Sequence, residues 1–403
     1  MTLRTTSADV ATGESLTPGF LRLLGKAIPT PRSGCLRLTL PNGALIERAG
    51  SRPGRTVAMA FQRWRGLWRI LLNGERGFVD AYLGGEWTTG DLPGLLDFFV
   101  ENENAFGASA RTTRLTTLRH RLQHVRRSNT RRGSRRNIAA HYDLGNAFYE
   151  QWLDGGMNYS SALYKGGSTL EAAQGAKLDR IVDLLDLSGS ESILEIGCGW
   201  GALAERLVGQ SSAFVGVTLS KEQLAYARDR LAGHPEGSHA DLRLEDYRDI
   251  DGRFDRIASI EMLEAVGERY WPVYFDRLRQ LLKPGGSAVL QVITIAEDRF
   301  EQYRSHPDFI QRHVFPGGML PTISRVEAEA SRAGLVLDTR QGFGDSYALT
   351  LADWRHRFEA AWDDIRPLGF DDRFRRLWAY YLSYCEAGFR HGLIDVSLFR
   401  FRG

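Results

Sequence analysis

Hydrophobic and polar positions alternate with a period of two early in the chain and change to a strand-and-helix rhythm later. Residues 35–40, 44–48 and 56–61 read as short strands, the first two separated by a turn at Pro41-Asn42-Gly43. Residues 61–72 (FQRWRGLWRILL) interleave aromatics with arginines, and Phe61, Trp64 and Trp68 fall at helical spacing. Such a face suits either core packing or contact with a membrane interface. Helical patterns continue to Val100. Farther on, apolar runs at 192–196, 213–218, 240–245, 254–260 and 286–295 alternate with helical patterns at 200–209, 220–232 and 270–282. That alternation predicts a doubly wound α/β fold with a parallel sheet. Runs near 335–340 and 393–401 would close the sheet. Residues 298–320 and 350–390 are aromatic-rich additions suited to a lid or substrate pocket.

A chain of 403 residues exceeds what one core normally supports, so two domains are expected. The boundaries predicted are an α+β N-terminal domain over 1–110, an arginine-rich linker over 111–136 and a catalytic domain over 137–403. The formal net charge of +3 is small, but its distribution is uneven. No acidic residue lies between Glu103 and Asp143, while ten arginines fall between Arg111 and Arg136. This run is either a solvated linker or a patch for anionic head groups or nucleic acid. Cys35, Cys198 and Cys385 lie far apart without metal-ligand spacing, as in a reducing compartment. Neither a signal-peptide core nor a run of 18 apolar residues is found, so membrane contact is expected from the cytoplasmic side, through the surface.

The densest chemistry lies at Glu195-x-Gly197-x-Gly199-x-Gly201, an acid ending a strand and a glycine-rich turn opening a helix. The spacing differs from the dinucleotide pattern. It resembles motif I of S-adenosylmethionine (SAM) dependent methyltransferases, which implies that Glu195 meets the methionine amino group. After the next strand, Thr218 and Gln223 offer polar contacts in place of the usual ribose-binding acid. Ser220 also reads as a helix cap with Gln223 three residues on. Asp246 and Tyr247 offer a carboxylate and a ring to the adenine, although an ordinary polar turn would look alike. Glu261 and Glu264 follow the fourth strand, at the sheet edge where ligands bind in this fold. One of the two would act in catalysis and the other orient it, unless both are surface residues. Cys198 lacks a nearby base and reads as structural.

Four segments in order then resemble the cyclopropane fatty acid synthase family. They are HYDLGNAFYEQWLDGGMNYSSALY (141–164), LEIGCGWGALA (194–204), DFIQRHVFPGGMLPTIS (308–324) and SYALTLADWRHRF (346–358). A looser likeness extends to GFVDAYLGGEW (77–87). The resemblance implies a Rossmann-like class I SAM-dependent methyltransferase domain beside a smaller α+β domain. It also implies transfer of the SAM methyl carbon to a cis double bond of a phospholipid acyl chain, with ring closure to a cyclopropane. An alkene is a weak nucleophile and must be held in line, and the resulting carbocation needs a dry site.

The base implied by the resemblance is a bound bicarbonate. Its glutamate maps to Glu264, its tyrosine to Tyr347, and its backbone donors to Ser161 and Ile293. Its histidine position holds Gln291, which can donate but carries no charge and does not titrate near neutrality. That departure supports an alternative product, a methyl or methylene branch without a ring. Tyr159 and Ser160 map to the SAM pocket, and Phe315, Pro316, Gly317 and Gly318 to a loop beside the acyl chain. Trp354 or Tyr380 would face the cation or else pack in the core. His141 and Tyr142 fall in a segment expected to close over the cofactor.

The expected partners are an unsaturated membrane phospholipid and an anionic membrane surface, met through the first domain and the arginine run at the inner face of the cell membrane. A homodimer is expected by analogy. A nucleic-acid methyltransferase is the reading from another class, and it is disfavoured. Glu261-Met262-Leu263-Glu264 stands where an N-P-P-[YFW] motif would be, and neither zinc spacing nor a base-reading module is found.

Overall fold

The alternating pattern near the start of the chain folds into a small sheet. Strands β1 (Ser33–Thr39), β2 (Leu45–Ala49), β3 (Arg52–Phe61) and β4 (Trp87–Thr88) lie in the order β2-β1-β3-β4. Leu36, Leu38, Ile46, Val57, Met59 and Phe61 all turn to the buried side, as a period of two requires. Helices α1 (Trp64–Leu83) and α2 (Leu92–Glu101) pack against β3. The structure, a computed structural model, describes residues 24–106 and 144–403. The arginine run 111–136 and the pair His141-Tyr142 lie outside the described residues.

Phe61, Trp64 and Trp68 do not share one helical face. Phe61 ends β3 and is buried, while Trp68 on α1 is 46% exposed beside exposed Leu71 and Leu72. The GGEW segment serves packing: Glu86 is fully buried and accepts from Arg65 Nε at 2.7 Å, and Trp87 Nε1 donates to the Phe78 carbonyl at 2.9 Å.

The chain divides into two units, and residues 369–387 group with the first, whereas the sequence pattern ran the second domain unbroken from 137 to 403. Tyr380 belongs to that segment. Its ring packs 5.7 Å from Tyr82 and 6.5 Å from Phe78 within the first unit, so its role there is packing.

The second unit is built on a seven-stranded sheet. Its elements are α3 (Leu170–Leu185), β5 (Ser192–Ile196), α4 (Ala202–Leu207), β6 (Ala213–Thr218), α5 (Lys221–Ala232), β7 (Ala240–Leu244) and β8 (Phe254–Ile260). They continue with α6 (Leu263–Val266), α7 (Trp271–Leu281), β9 (Leu282–Ile295), α8 (Ile323–Arg332), β10 (Val336–Gly342), α9 (Gly344–Ala360) and β11 (Ile394–Arg402). The strand order is β10-β11-β9-β8-β5-β6-β7. The five strands from β7 to β9 run parallel, and β11 pairs antiparallel with both β9 and β10. Parallel strands are covered on both faces, which is why their sequences are nearly continuous apolar runs. Leu194, Ile257, Leu290, Phe275, Leu278, Phe399 and Phe401 form part of one core.

The strand order reverses between β5 and β8, so their C-terminal ends flank the crevice where ligands bind in open α/β sheets. The glycine-rich turn leaves β5 there, and the segment 261–264 leaves β8. Gly201, at φ +84°, brings α4 against α5: a Cβ there would lie 3.1 Å from the Ala227 Cβ.

The Phe275 ring is fully buried and lies 6.3 Å from Phe401 across the α7–sheet interface. Phe275→Ala is expected to cost the second unit about 3–5 kcal/mol in chemical denaturation. A loss below about 1 kcal/mol would mean that this ring does not anchor α7.

Candidate active site

Glu195, the last acid of β5, is 3% exposed, and its neighbours in the sheet are Gly216 and Ala258. Its Oε2 has no hydrogen-bond partner among the described residues. Desolvation raises its pKa to about 8, opposed by the Lys177 ammonium. Beside it, Gly197 (φ +87°) and Gly199 (φ +52°) turn the chain in the left-handed region. A Cβ on Gly199 would meet nothing within 4 Å, and one on Gly197 would meet Met262 at 3.4 Å. A partnerless buried carboxylate next to open space suits a cationic ligand.

Lys177 of α3 is a residue the sequence pattern did not mark. It is 2% exposed, and its ammonium donates to Ser160 Oγ at 2.8 Å and Asn158 Oδ1 at 3.5 Å. Burial lowers its pKa to about 8, while Glu261, Asp154 and Glu195 oppose the shift. A single lysine in an amphipathic helix looks like a surface residue, and no chain-level signal marks it as buried. Gln174 Nε2 also binds the Ser160 carbonyl at 2.9 Å, so Ser160 is fixed from two sides. The Tyr159 ring sits among Tyr149, Trp152 and Trp354, 5.3 Å from Trp354.

The expected bicarbonate donors converge on a different anion. The Ser161 amide donates to Glu261 Oε1 at 2.8 Å, and Gln291 Nε2 donates to the same oxygen at 2.7 Å. The Tyr347 hydroxyl donates to Glu261 Oε2 at 2.7 Å. The fourth donor, the Ile293 amide, bonds Glu264 Oε1 instead. Glu261 holds this position from a left-handed backbone, φ +50°, that non-glycine residues seldom adopt. Its own amide is pinned to the Gln291 carbonyl at 2.8 Å. Desolvation raises the Glu261 pKa, while the Ser161, Tyr347 and Gln291 bonds hold it down. Glu264 is raised to about 8, first by desolvation and then by the neighbouring Glu261 charge. The pair is thus brought together as the sequence suggested, but Glu261 rather than Glu264 gathers most of the donors. Its signal was the spacing of two acids after β8, which does not say which one gathers the donors.

Other marked residues already have partners within the protein. The Thr218 hydroxyl donates to Gln223 Oε1 at 3.0 Å, and Ser220 caps α5 by accepting the Gln223 amide at 3.2 Å. Asp246 is paired with Arg248 at 2.6 Å, and the Tyr247 ring stands edge-on to Tyr274 at 5.5 Å. Cys198 is buried, and burial followed by the Glu195 charge raises its thiol pKa, consistent with a structural role. The loop 315–318 reaches the segment 261–264, since the Met319 amide bonds the Glu264 carbonyl at 2.9 Å. The Trp354 ring stands edge-on to Tyr347 at 6.1 Å, and Tyr347 stacks on Phe389 at 4.4 Å. Acids, amide donors and aromatic rings therefore share one crevice next to the glycine turn.

The sequence profile of the mycolic acid cyclopropane synthetase family matches residues 129–399. The chain belongs to this family. It is 38% identical over 340 residues to the tuberculostearic acid methyltransferase of Mycobacterium tuberculosis, covering 81% of this chain and 79% of that one. It is 34% identical over 325 residues to the cyclopropane-fatty-acyl-phospholipid synthase of Escherichia coli, covering 80% of this chain and 81% of that one. A solved mycolic acid cyclopropane synthase complexed with SAH and CTAB superposes with a TM-score of 0.63 at 31% identity, covering 67% of this chain and 98% of that one. The protein is therefore a SAM-dependent methyltransferase of α/β Rossmann-like fold.

Glu195 makes a pH-dependent stability prediction. Its folded pKa, about 8, lies above the ordinary carboxylate value of 4.5. Below pH 4.5 the group is protonated in both states. As the pH rises from there to 8, the unfolded chain ionises first and the folded protein loses stability. Glu195→Gln should match wild type near pH 4.5 and be more stable by more than about 1 kcal/mol at pH 8. A stability difference that stays flat between those pH values would overturn this assignment.

Proposed function

We propose that this protein transfers the methyl carbon of SAM to the cis double bond of an unsaturated acyl chain in a membrane phospholipid and closes a cyclopropane ring. The observation that carries this reading is the crevice at the strand-order reversal. There the Glu261–Glu264 pair, backed by Tyr347 and Trp354, adjoins the glycine turn and the unpartnered Glu195 carboxylate.

Bound SAM supplies an electrophilic methyl on sulfonium. Glu195 would hold the methionine ammonium, and Gly197, Gly199 and Gly201 leave the backbone open to close approach. Ser160 and Tyr159 would line the same pocket, with Ser160 steadied by Lys177 and Gln174. Thr218, Gln223, Asp246 and Tyr247 flank the adenosine side at the ends of β6 and β7. Their internal hydrogen bonds and ring contact make them a rigid wall there. Tyr347 and Trp354 keep water from the cationic centre and present ring faces to it. Glu264, Ile293 and the loop 315–318 border the acyl chain.

A second reading keeps donor and lipid but leaves a methyl or methylene branch. Gln291 in the family's histidine position favours it, as does the 38% identity to the tuberculostearic acid methyltransferase.

The phospholipid would be reached from the cytoplasmic face of the cell membrane. Among the described residues no helix is long and apolar enough to cross a membrane. Exposed Trp68, Leu71 and Leu72 on α1, with Arg65 and Arg69 beside them, offer an interfacial contact, and the arginines at 111–136 add charge for an anionic surface. Binding to anionic vesicles should weaken steeply as salt rises, and a sedimentation assay without salt dependence would remove that part.

The deciding experiment supplies vesicles of monounsaturated anionic phospholipid and SAM bearing a trideuterated methyl. Two deuteriums retained, together with upfield ring protons in an unlabelled run, establish ring closure. Three retained, or two without ring protons, establish branching. No incorporation into several unsaturated lipids would overturn the lipid assignment.

A further inference from the structure

A bound bicarbonate does not fit the site as this chain builds it. An anion needs donors, and the four expected ones are taken. Ser161, Gln291 and Tyr347 are committed to Glu261, and Ile293 to Glu264. A further anion would also lie against Glu261, whose charge already raises the proton affinity of the neighbouring Glu264. Bicarbonate and a glutamate side chain present the same planar pair of oxygens, so one set of donors can hold either but not both.

Glu261 adopts an unfavourable backbone conformation to bring its carboxylate to these donors. A non-glycine residue at φ +50° costs on the order of 1 kcal/mol, and such strain gathers at functional sites. Three hydrogen bonds and the Lys177 charge offset that cost.

We propose that the Glu261 carboxylate is the catalytic base, a tethered replacement for bound bicarbonate, held by the Ser161 amide, the Gln291 amide group and the Tyr347 hydroxyl. The inference rests on the proposed acyl-chain alkylation. As the new C–C bond forms, the S–CH3 bond breaks and its electron pair stays on sulfur, leaving a positive charge on the second alkene carbon. Glu261 then takes a proton from the transferred carbon and becomes a neutral acid. The electron pair of that C–H bond forms the third ring bond or, after a 1,2-hydride shift, the C=CH2 double bond of a methylene branch. Glu261 afterwards returns the proton to solvent. Gln291 is explained at once: a neutral donor suits a site whose anion is already tethered, whereas a free anion gains more from a charged one.

The test compares wild type, Glu261→Gly and Glu261→Gln in carbon-dioxide-stripped buffer with and without added bicarbonate. Glycine relieves the left-handed backbone while giving up the three hydrogen bonds, and glutamine keeps the side chain's volume, so SAH affinity serves to show that each variant is folded. Wild-type turnover should change less than about twofold when bicarbonate is removed or added. Both variants should lose about 100-fold or more, the range expected for a general base, with SAH affinity by calorimetry within about threefold. Added bicarbonate should restore the Gly variant about tenfold, and 13C-bicarbonate NMR should show binding to the Gly variant and not to wild type. Wild-type dependence on bicarbonate, bicarbonate binding by wild type, or full activity of Glu261→Gln would overturn the proposal. If wild type alkylates no lipid, the proposed function fails. The bicarbonate NMR still decides whether Glu261 occupies the anion's place.

Discussion

The three hydrogen bonds that end on the Glu261 carboxylate join segments far apart in the chain. Ser161 lies 100 residues before it, Gln291 30 after and Tyr347 86 after. Each partner comes from a different element: the loop before α3, the strand β9 and the helix α9. A single acid at the end of β8 thus sets the mutual position of the parts that enclose the crevice. If the carboxylate moves, the Ser161 and Tyr347 bonds are lost and Gln291 keeps only its longer contact to the Ser161 carbonyl at 3.4 Å, so the arrangement is expensive to disturb.

The same crevice is electrostatically unbalanced in a way that serves a positively charged donor. Glu195, Glu261 and Glu264 all have raised proton affinity through desolvation, and Lys177 is the buried cation set among them. Lys177 reaches Ser160 directly and acts on Glu195 and Glu261 through the field, which links the end of β5 to the end of β8. An incoming sulfonium with its ammonium would relieve the excess of carboxylate. Carboxylates kept close without enough counter-charge reduce the stability of the free protein, a cost common at sites built to bind.

Aromatic packing gives the crevice its dryness. Tyr149, Trp152, Tyr159 and Trp354 pack ring to ring, and Tyr347 is stacked on Phe389 while its hydroxyl serves Glu261. Tyr347 thereby joins the polar network to the apolar wall, so the Glu261 carboxylate stands at the border between them. In the proposed reaction the carbocation would meet ring faces and the Glu261 carboxylate rather than water.

Periodicity alone determined most of the scaffold. The apolar runs at 192–196, 213–218 and 254–260 became β5, β6 and β8 with the same limits, because a strand buried on both faces tolerates little else. The glycine turn after Glu195 and the Ser220 cap were equally legible, since each depends on neighbours within a few residues. Side-chain pairing was not. That Thr218 and Gln223 satisfy each other, that Asp246 holds Arg248, and that Tyr380 packs with the first unit depend on rotamers and on chain paths that spacing does not encode. The division of labour between Glu261 and Glu264 is the sharpest case. The sequence placed two acids at the edge of the sheet. Only the tertiary structure, by bringing Ser161, Gln291 and Tyr347 to one left-handed residue, decided which of them collects the donors.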